Sequence, residues 1–186
     1  MLEGEQVILR PMTKGDIERQ HEFNQDLDLF LLNASLPHVS PLERAQEMYE
    51  LCTKKDRNAQ YFAIEADGKY IGNCSLKLSS AFPGVYRLGI LIGDQEYLSK
   101  GYGSDTVRVL LGYGFHYLGA RRISLGTNAK NLRAIKCFRA CGFVEEGRSR
   151  KVQWIDGDYT DLVTMGILRE EWEGMEANKE QKRHQT

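Results

Sequence analysis

Two closely spaced glycines separate a short apolar segment from a helical pattern. Gly101 and Gly103 lie in Leu98–Ser104, between the apolar run Leu88–Ile92 and the helical periodicity of residues 105–118. Glycines allow unusual backbone conformations, so main-chain amides can approach a ligand closely. The first helical turn adds N–H groups without intrahelical partners. This order predicts a phosphate or pyrophosphate site. The alternative is that the glycines only shape the turn, because Gly-x-Gly alone is a weak motif.

The composition is typical of a single globular domain. The chain has 186 residues and a formal net charge of -1, and this length suffices for a substantial core. The near-neutral charge argues against general electrostatic binding to nucleic acid or to an acidic membrane. The polar start, Met1–Gln6, and the lack of a long apolar run argue against a signal peptide or a membrane span. We therefore expect a cytoplasmic protein.

The cysteines and histidines do not form a metal-binding pattern. The four cysteines include no Cys-x-x-Cys pair, and the four histidines are scattered. Cys137 and Cys141 are four residues apart and could share a helical face, but a buried hydrophobic role is favoured for each. We predict no metal.

Strand and helix signals follow one another along most of the chain. A first strand is predicted at Gln6–Arg10, followed by helices that begin at the capping patterns of Thr13 and Ser40. The later elements are the hairpin Tyr61–Ala66 and Tyr70–Leu78, the strand Val85–Ile92, the helix Asp105–Leu118, the strand Arg122–Thr127, the helix Asn131–Cys141 and the hairpin Phe143–Trp154 and Asp158–Leu168. This order predicts an α+β fold with a mixed sheet covered by helices.

The end of the chain differs in composition from the rest. From Arg169 onward it is highly charged, and Asn178–Thr186 has almost no apolar residue. We therefore predict one domain over residues 1–172 and a charged, disordered tail over residues 173–186.

Two segments in register resemble a known family. Gly89–Gly103 (GILIGDQEYLSKGYG) and Asn128–Phe143 (NAKNLRAIKCFRACGF) have the order and spacing of the acyl-CoA motifs of the GNAT N-acetyltransferase superfamily. The chain most resembles the branch that contains ribosomal-protein N-terminal acetyltransferases and spermidine acetyltransferases. The resemblance runs from Val7 to about Trp172.

The resemblance implies the acyl-CoA N-acyltransferase fold and acetyl-CoA as the acyl donor. In this fold a central mixed, mostly antiparallel sheet has helices on both faces, and two parallel strands, here Leu88–Ile92 and Ile123–Thr127, splay into a V-shaped cleft. The turn would bind the pyrophosphate of coenzyme A, and Ile90–Ile92 would bind the pantetheine arm. The residues implied for cofactor binding are Ile90, Leu91, Ile92, Leu98, Ser99, Lys100, Gly101, Tyr102, Gly103, Ser104, Asn131, Ala134 and Phe138. Asn131 has the alternative role of a helix cap.

The resemblance also implies direct attack of an amine on the thioester in a ternary complex. The backbone N–H groups of Leu91 and Ile92 are the implied oxyanion donors. Family members commonly have a tyrosine as general acid where this chain has Phe138, which has no proton to donate. They often have a glutamate, a candidate base, where this chain has Arg87. A thiol with a reference pKa of about 8.5 is still a tolerable leaving group.

The missing base favours an acceptor amine of low pKa. At pH 7 an α-amine is neutral in roughly one molecule in ten, whereas an aliphatic amine with a pKa near 10.4 is neutral about 0.04% of the time. We predict a protein or peptide N-terminal amine as acceptor. The alternatives are a small polyamine or aminoglycoside, or a catalytically weak module that senses acyl-CoA.

Several side chains are candidates for the acceptor side of the site. Asp94, Glu96 and Asp161 are candidate remote bases that would act through water. The candidate substrate residues are Asp26, Asp28, Arg87, Trp154 and Tyr159. We expect a monomer or a homodimer that binds neither nucleic acid nor a membrane.

Overall fold

Eight strands form one mixed sheet at the centre of the protein. The structure is a computed structural model that describes residues 1–27, 29, 41–54, 58–155 and 157–183. The strands are β1 Leu2–Glu3, β2 Ile8–Arg10, β3 Ala59–Ala66, β4 Lys69–Leu78, β5 Val85–Ile92, β6 Arg122–Asn128, β7 Val144–Ile155 and β8 Asp158–Leu168. Their order across the sheet is β1-β2-β3-β4-β5-β6-β8-β7.

The described ranges contain five α-helices. These are α1 Ile17–Gln25, α2 Leu42–Thr53, α3 Tyr102–Gly112, α4 Leu132–Ala140 and α5 Arg169–Arg183. A π-helical segment, Tyr113–Tyr117, continues α3, and short 3-10 turns lie at Lys14–Asp16 and Gln95–Tyr97. In these same ranges no helix has both the length and the apolar character needed to cross a membrane.

The parallel strands β5 and β6 separate after a short paired section. They are paired at Val85–Arg87, opposite Arg122–Ser124, and every other strand pair is antiparallel. Beyond Arg87, β5 stays with β4 as far as Ile92, whereas β6 stays with β8 as far as Asn128. The strands therefore diverge into a V-shaped cleft in the middle of the sheet, and the predicted α+β fold with a splayed pair is confirmed.

The two faces of the sheet carry different cores. One face contributes Leu76, Leu88 and Ile123 to the main core, which also contains the buried α3 residues Val107 and Leu110. The opposite face has a smaller core. Its buried residues are Met12, Phe23, Ala63 and Tyr70, with Tyr49 and Cys52 of α2 packed against them. Side chains alternate between the two faces along a strand. A strand residue adjacent in sequence to a main-core residue therefore faces α1 and α2.

Asp105 fixes the position of the first turn of α3. Its buried carboxylate Oδ2 accepts hydrogen bonds from the backbone N–H groups of Gln6, at 2.7 Å, and Val7, at 3.1 Å. A carboxylate that accepts backbone N–H bonds makes charge-assisted contacts, which are stronger than neutral ones. The chain preceding β2 therefore holds the N-terminus of α3 beside the cleft.

Local turn and cap signals predicted several elements well. Asp67 and Gly68, with φ of 51° and 71°, form the turn of the β3–β4 hairpin, as expected for an Asp-Gly pair. Asp16 Oδ2 accepts the Thr13 N–H at 2.7 Å, which caps the turn before α1. The start of α2 differs slightly, because Pro41 is the cap residue and the predicted cap, Ser40, lies outside the described residues.

The segment from residue 173, for which the sequence predicts a disordered tail, is helical in its described part. Residues up to Arg183 continue helix α5. The helix is anchored by Trp172, which is buried and stacks on Phe115 at 5.2 Å between ring centroids, and by Met175, which packs against the main core. Two well-placed apolar residues thus hold a segment whose overall composition is strongly polar.

Candidate active site

A cavity of about 540 Å³ lies where β5 and β6 separate. It is lined by β5, the turn after it, the first turns of α3 and α4, and side chains from α1, α2, β3 and β4. Its volume lies within the range of small-molecule sites. The cavity therefore connects the predicted anion-binding turn with the face of the sheet under α1 and α2.

The turn before α3 has the geometry of an anion site. Ser99 and Gly101 have left-handed φ values of 61° and 98°, and Gly101 is the cap residue of α3. Alternation of right- and left-handed residues directs successive N–H groups to one side of the chain. The first-turn N–H groups of α3 add to this set, because the helix begins its i to i−4 bonding at Asp105. The turn thus fits a pyrophosphate on its main chain.

Gly103 has a different role from the one its spacing suggested. It lies inside the first turn of α3 and has no left-handed φ, whereas Ser99, also implied for cofactor binding, does. A Cβ on Gly103 would meet Cys137 Sγ at 3.7 Å, an ordinary contact. Neither the backbone conformation nor the packing of the protein therefore requires glycine at position 103.

Most of the predicted cofactor residues line the cavity. Those that do are Ile90, Leu91, Ile92, Leu98, Ser99, Gly101, Gly103, Ser104, Asn131, Ala134 and Phe138. Lys100 and Tyr102 do not: the first is exposed, and the second packs its ring edge against Tyr97 at 5.0 Å. Asn131 caps α4, since its Oδ1 accepts the Ala134 N–H at 3.1 Å.

The strand pairing decides which amides of β5 face the cleft. At one end of the β4–β5 pair the Gly93 N–H donates to the Ile71 carbonyl at 2.9 Å, and at the other the Ser79 N–H donates to the Val85 carbonyl at 2.8 Å. In an antiparallel pair these bonds recur at every second residue. Odd-numbered β5 residues therefore point their N–H groups toward β4, and even-numbered ones toward the cleft.

This pattern corrects one of the two predicted oxyanion donors. Leu91 is the register partner of Asn73, and its N–H points to β4 rather than to the cleft. The backbone groups of Ile90 and Ile92 point into the cleft, where β6 has already turned away. Ile92 thus has the orientation that the prediction requires, Leu91 does not, and Ile90 has the same orientation as Ile92.

The described lining of the cavity has neither a hydroxyl at position 138 nor a carboxylate. Phe138 lines the cavity, is 6% exposed and packs edge-on against Phe143. Asp94 is held by Arg19 at 2.8 Å and by the Glu96 N–H at 3.0 Å. Asp94, Glu96 and Asp161 are all absent from the cavity lining. Among the described residues the lining contains no carboxylate.

Of the four predicted substrate residues that the structure describes, one, Arg87, lies in the cavity. Asp26 instead accepts hydrogen bonds from Gln95 Nε2, at 3.0 Å, and from the Leu29 N–H. Asp28 is outside the described residues. Trp154 and Tyr159 are register partners near the β7–β8 turn and pack on each other at 4.8 Å, with more than half of each exposed. They are therefore a cross-strand aromatic pair away from the cavity.

A buried polar network lines the cavity on the α1 side. Gln20 Oε1 accepts from the Tyr70 hydroxyl at 2.5 Å and from Asn73 Nδ2 at 2.7 Å, and Gln20 Nε2 donates to Asn24 Oδ1 at 2.7 Å. Burial raises the pKa of Tyr70, which keeps its hydroxyl protonated as the donor. The sequence analysis missed this network. The sequence feature that could have indicated it is the i, i+4 spacing of Gln20 and Asn24 on the helix whose Phe23 packs into the core.

Cys137 places a reactive thiol in the wall of the cavity. Its Sγ lies 3.3 Å from Ser104 Oγ, next to the anion-binding turn. Hydrogen bonds from Cys141 and Ser104 outweigh burial and lower the pKa of Cys137 to about 7. The cysteines are free thiols. In the described ranges no three His, Cys, Asp or Glu residues group as a metal site would require.

A splayed strand pair with an anion-binding turn at one end defines a coenzyme A-dependent acyltransferase. Comparison with known proteins identifies the family: residues 6–144 match the acetyltransferase (GNAT) domain. The chain belongs to this family, and it is an acetyl-CoA-dependent N-acetyltransferase. The turn and cavity described above fit coenzyme A.

The similar proteins include enzymes with different acceptors. Spermidine N(1)-acetyltransferase of Vibrio cholerae is 25% identical over 167 residues, which cover 90% of this chain and 95% of that protein. The putative ribosomal N-acetyltransferase YdaF of Bacillus subtilis is 28% identical over 182 residues, which cover 92% and 96% of the two chains. The crystal structure of the Vibrio cholerae spermidine N-acetyltransferase with CoA and spermine superposes with a TM-score of 0.80, at 26% identity over 90% of this chain and 98% of that one.

Proposed function

We propose that this enzyme acetylates the primary amine of a small molecule. One observation carries the proposal: a single cavity extends from the anion-binding turn, past the separation of β5 and β6, to a polar pocket under α1 and α2. A recess enclosed by two helices suits a small acceptor. The similarity to spermidine acetyltransferases supports the same class of acceptor.

The main chain of β5 performs the central catalytic task in this proposal. The N–H groups of Ile90 and Ile92 point into the cleft, where they can stabilise the oxyanion that develops on the thioester carbonyl. Such preorganised donors often make the largest single contribution to acyl-transfer catalysis. Acetyl-CoA supplies the activated acetyl group, and the turn and α3 orient it by holding its pyrophosphate.

We assign the proton transfers to water, since the described lining offers no carboxylate as base and Phe138 has no hydroxyl to act as acid; the Cys137 thiol in the cavity wall is the other candidate. The amine must lose its ammonium proton before it attacks, so kcat/KM should rise about tenfold per pH unit until the pKa of the acceptor is reached. The thiolate that leaves is reprotonated from solvent. The missing general acid slows this step by a factor that typically lies near 10² to 10⁴.

The test is release of the CoA thiol from acetyl-CoA with purified protein, with mass spectrometry of the product. The panel contains small amines, amino acids, aminoglycosides, polyamines and peptides with free N-termini. We expect turnover with at least one small amine. Acetylation confined to peptides would overturn the proposal in favour of a protein N-terminal acceptor. Tight acetyl-CoA binding without any turnover would overturn it in favour of an acyl-CoA sensor.

A further inference from the structure

Two cationic side chains occupy the acceptor side of the cavity. Lys77 of β4 and Arg87 of β5 are register partners, so they lie side by side on adjacent strands. They alternate with the core residues Leu76 and Leu88, and both therefore face α1 and α2. Both line the cavity and both are exposed within it.

Among the described residues, no carboxylate neutralises the charges of this pair. The Arg87 guanidinium reaches across the cleft to β6, where its Nη2 lies 3.3 Å from the position of a Cβ on Gly126. Lys77 Nζ lies 5.0 Å from the centre of the Tyr61 ring. Within the described parts of the chain, neither side chain forms a salt bridge.

The pair and the predicted phosphate site lie toward opposite ends of β5. Arg87 marks the vertex of the cleft, where pairing with Ser124 ends. Ile92, the other end of β5, lies about 16 Å from Arg87 at a rise of 3.3 Å per residue, and the anion-binding turn follows it in the chain. Lys77 and Arg87 therefore carry charge that pyrophosphate binding does not use.

We infer that the acceptor carries an anionic group, a carboxylate or a phosphate, as well as the amine that is acetylated. The guanidinium of Arg87 binds this group through paired N–H donors, and Lys77 adds a second charge. This inference rests on the proposed function and specifies its substrate class. A polycation such as spermidine would meet two like charges, and the described lining has no carboxylate to receive it.

Matched pairs of amines that differ by one anionic group test the inference, with each kcat/KM divided by the fraction of neutral amine at the assay pH, because the anion also changes the pKa of the amine. Suitable pairs are tyrosine with tyramine for a carboxylate, and phosphoethanolamine with ethanolamine or glucosamine 6-phosphate with glucosamine for a phosphate, with spermidine as the polycation. We expect the anionic member of at least one pair to exceed its partner in kcat/KM by about 10- to 100-fold, mainly through KM. Spermidine should be the poorest substrate.

Variants of Arg87 connect this preference to the site. Arg87→Gln should reduce the anionic preference to within a few-fold, Arg87→Lys should retain part of it, and Arg87→Glu should reverse it. Arg150→Gln makes the same charge change at an exposed position of β7 and should leave the preference unchanged. The measured quantity is the ratio of kcat/KM between the anionic amine and its partner without the anion. A general loss of activity lowers both values and leaves this ratio unchanged.

The possible results separate the inference from the proposed function. Equal turnover of both members of every pair, or spermidine as the best substrate, overturns the inference and leaves a small-amine acetyltransferase. A preference that survives Arg87→Glu also overturns it. Failure to acetylate any of the small amines overturns the proposed function, and the inference with it.

Discussion

Gly101 is the residue of the anion-binding turn at which a side chain should be tolerated least. Its φ of 98° is in the left-handed region, and an added Cβ would lie 2.9 Å from Gln6 Nε2. The Gln6 side chain is flexible and can move, so the backbone strain, about 1–3 kcal/mol, dominates. Gly101→Ala should therefore lower the melting temperature by about 2–12 °C, at about 2–4 °C per kcal/mol for a chain of this size.

Gly103→Ala is the matched control for this strain. Gly103 lies in the first turn of α3 without a left-handed φ, and the new methyl group would meet Cys137 Sγ at an ordinary 3.7 Å. Alanine favours helix over glycine by up to about 1 kcal/mol. Thermal unfolding without ligand should thus show an unchanged or higher melting temperature for this variant.

The effects of these two variants on acetyl-CoA affinity should differ from their effects on melting temperature. Both add a methyl group where the main chain approaches the pyrophosphate, so both should weaken acetyl-CoA binding by about tenfold or more in isothermal titration calorimetry. Wild-type affinity in both variants would refute the assignment of the turn as the pyrophosphate site. A melting temperature of Gly101→Ala equal to that of wild type would refute the strain argument separately.

Two further predictions concern the cavity wall. Phe138→Tyr should raise kcat by about 10², the lower end of a general-acid contribution, if its ring faces the thioester sulfur; an unchanged kcat in steady-state assays would point to water or another donor. Cys137, whose pKa of about 7 exposes a thiolate at mildly alkaline pH, should react with iodoacetamide faster than the buried Cys74, with half-maximal rate near pH 7. Saturating CoA should protect it, and labelling by mass spectrometry that is indifferent to CoA would place Cys137 outside the cofactor site.

Sequence reasoning succeeded where local chemistry determines structure. The Asp67-Gly68 hairpin and the cap of α4 at Asn131 follow from the preferences of single residues. The glycine turn was found for the same reason, and the second motif helix established the family. Short-range signals were thus sufficient for the fold class and for locating the turn before α3.

The acceptor half could not be predicted in the same way, because it depends on strand register. Pairing with β4 determines whether Leu91 or Ile90 directs its N–H group into the cleft. The same pairing places Lys77 beside Arg87. Trp154 and Tyr159 have substrate-binding chemistry, but cross-strand pairing commits them to each other. Sequence shows residue types, and only the fold shows which of them share a surface.

The separation of β5 from β6 makes this sheet two half-sheets on a short hinge. Five strands lie on one side and three on the other, joined by hydrogen bonding only around Val85–Arg87 and Arg122–Ser124. Both halves present a bare strand edge inside the molecule, which is normally a site for an added strand. An acyl donor that lies along Ile90–Ile92 would act as that strand, so the same contacts that position the thioester also join the halves of the protein.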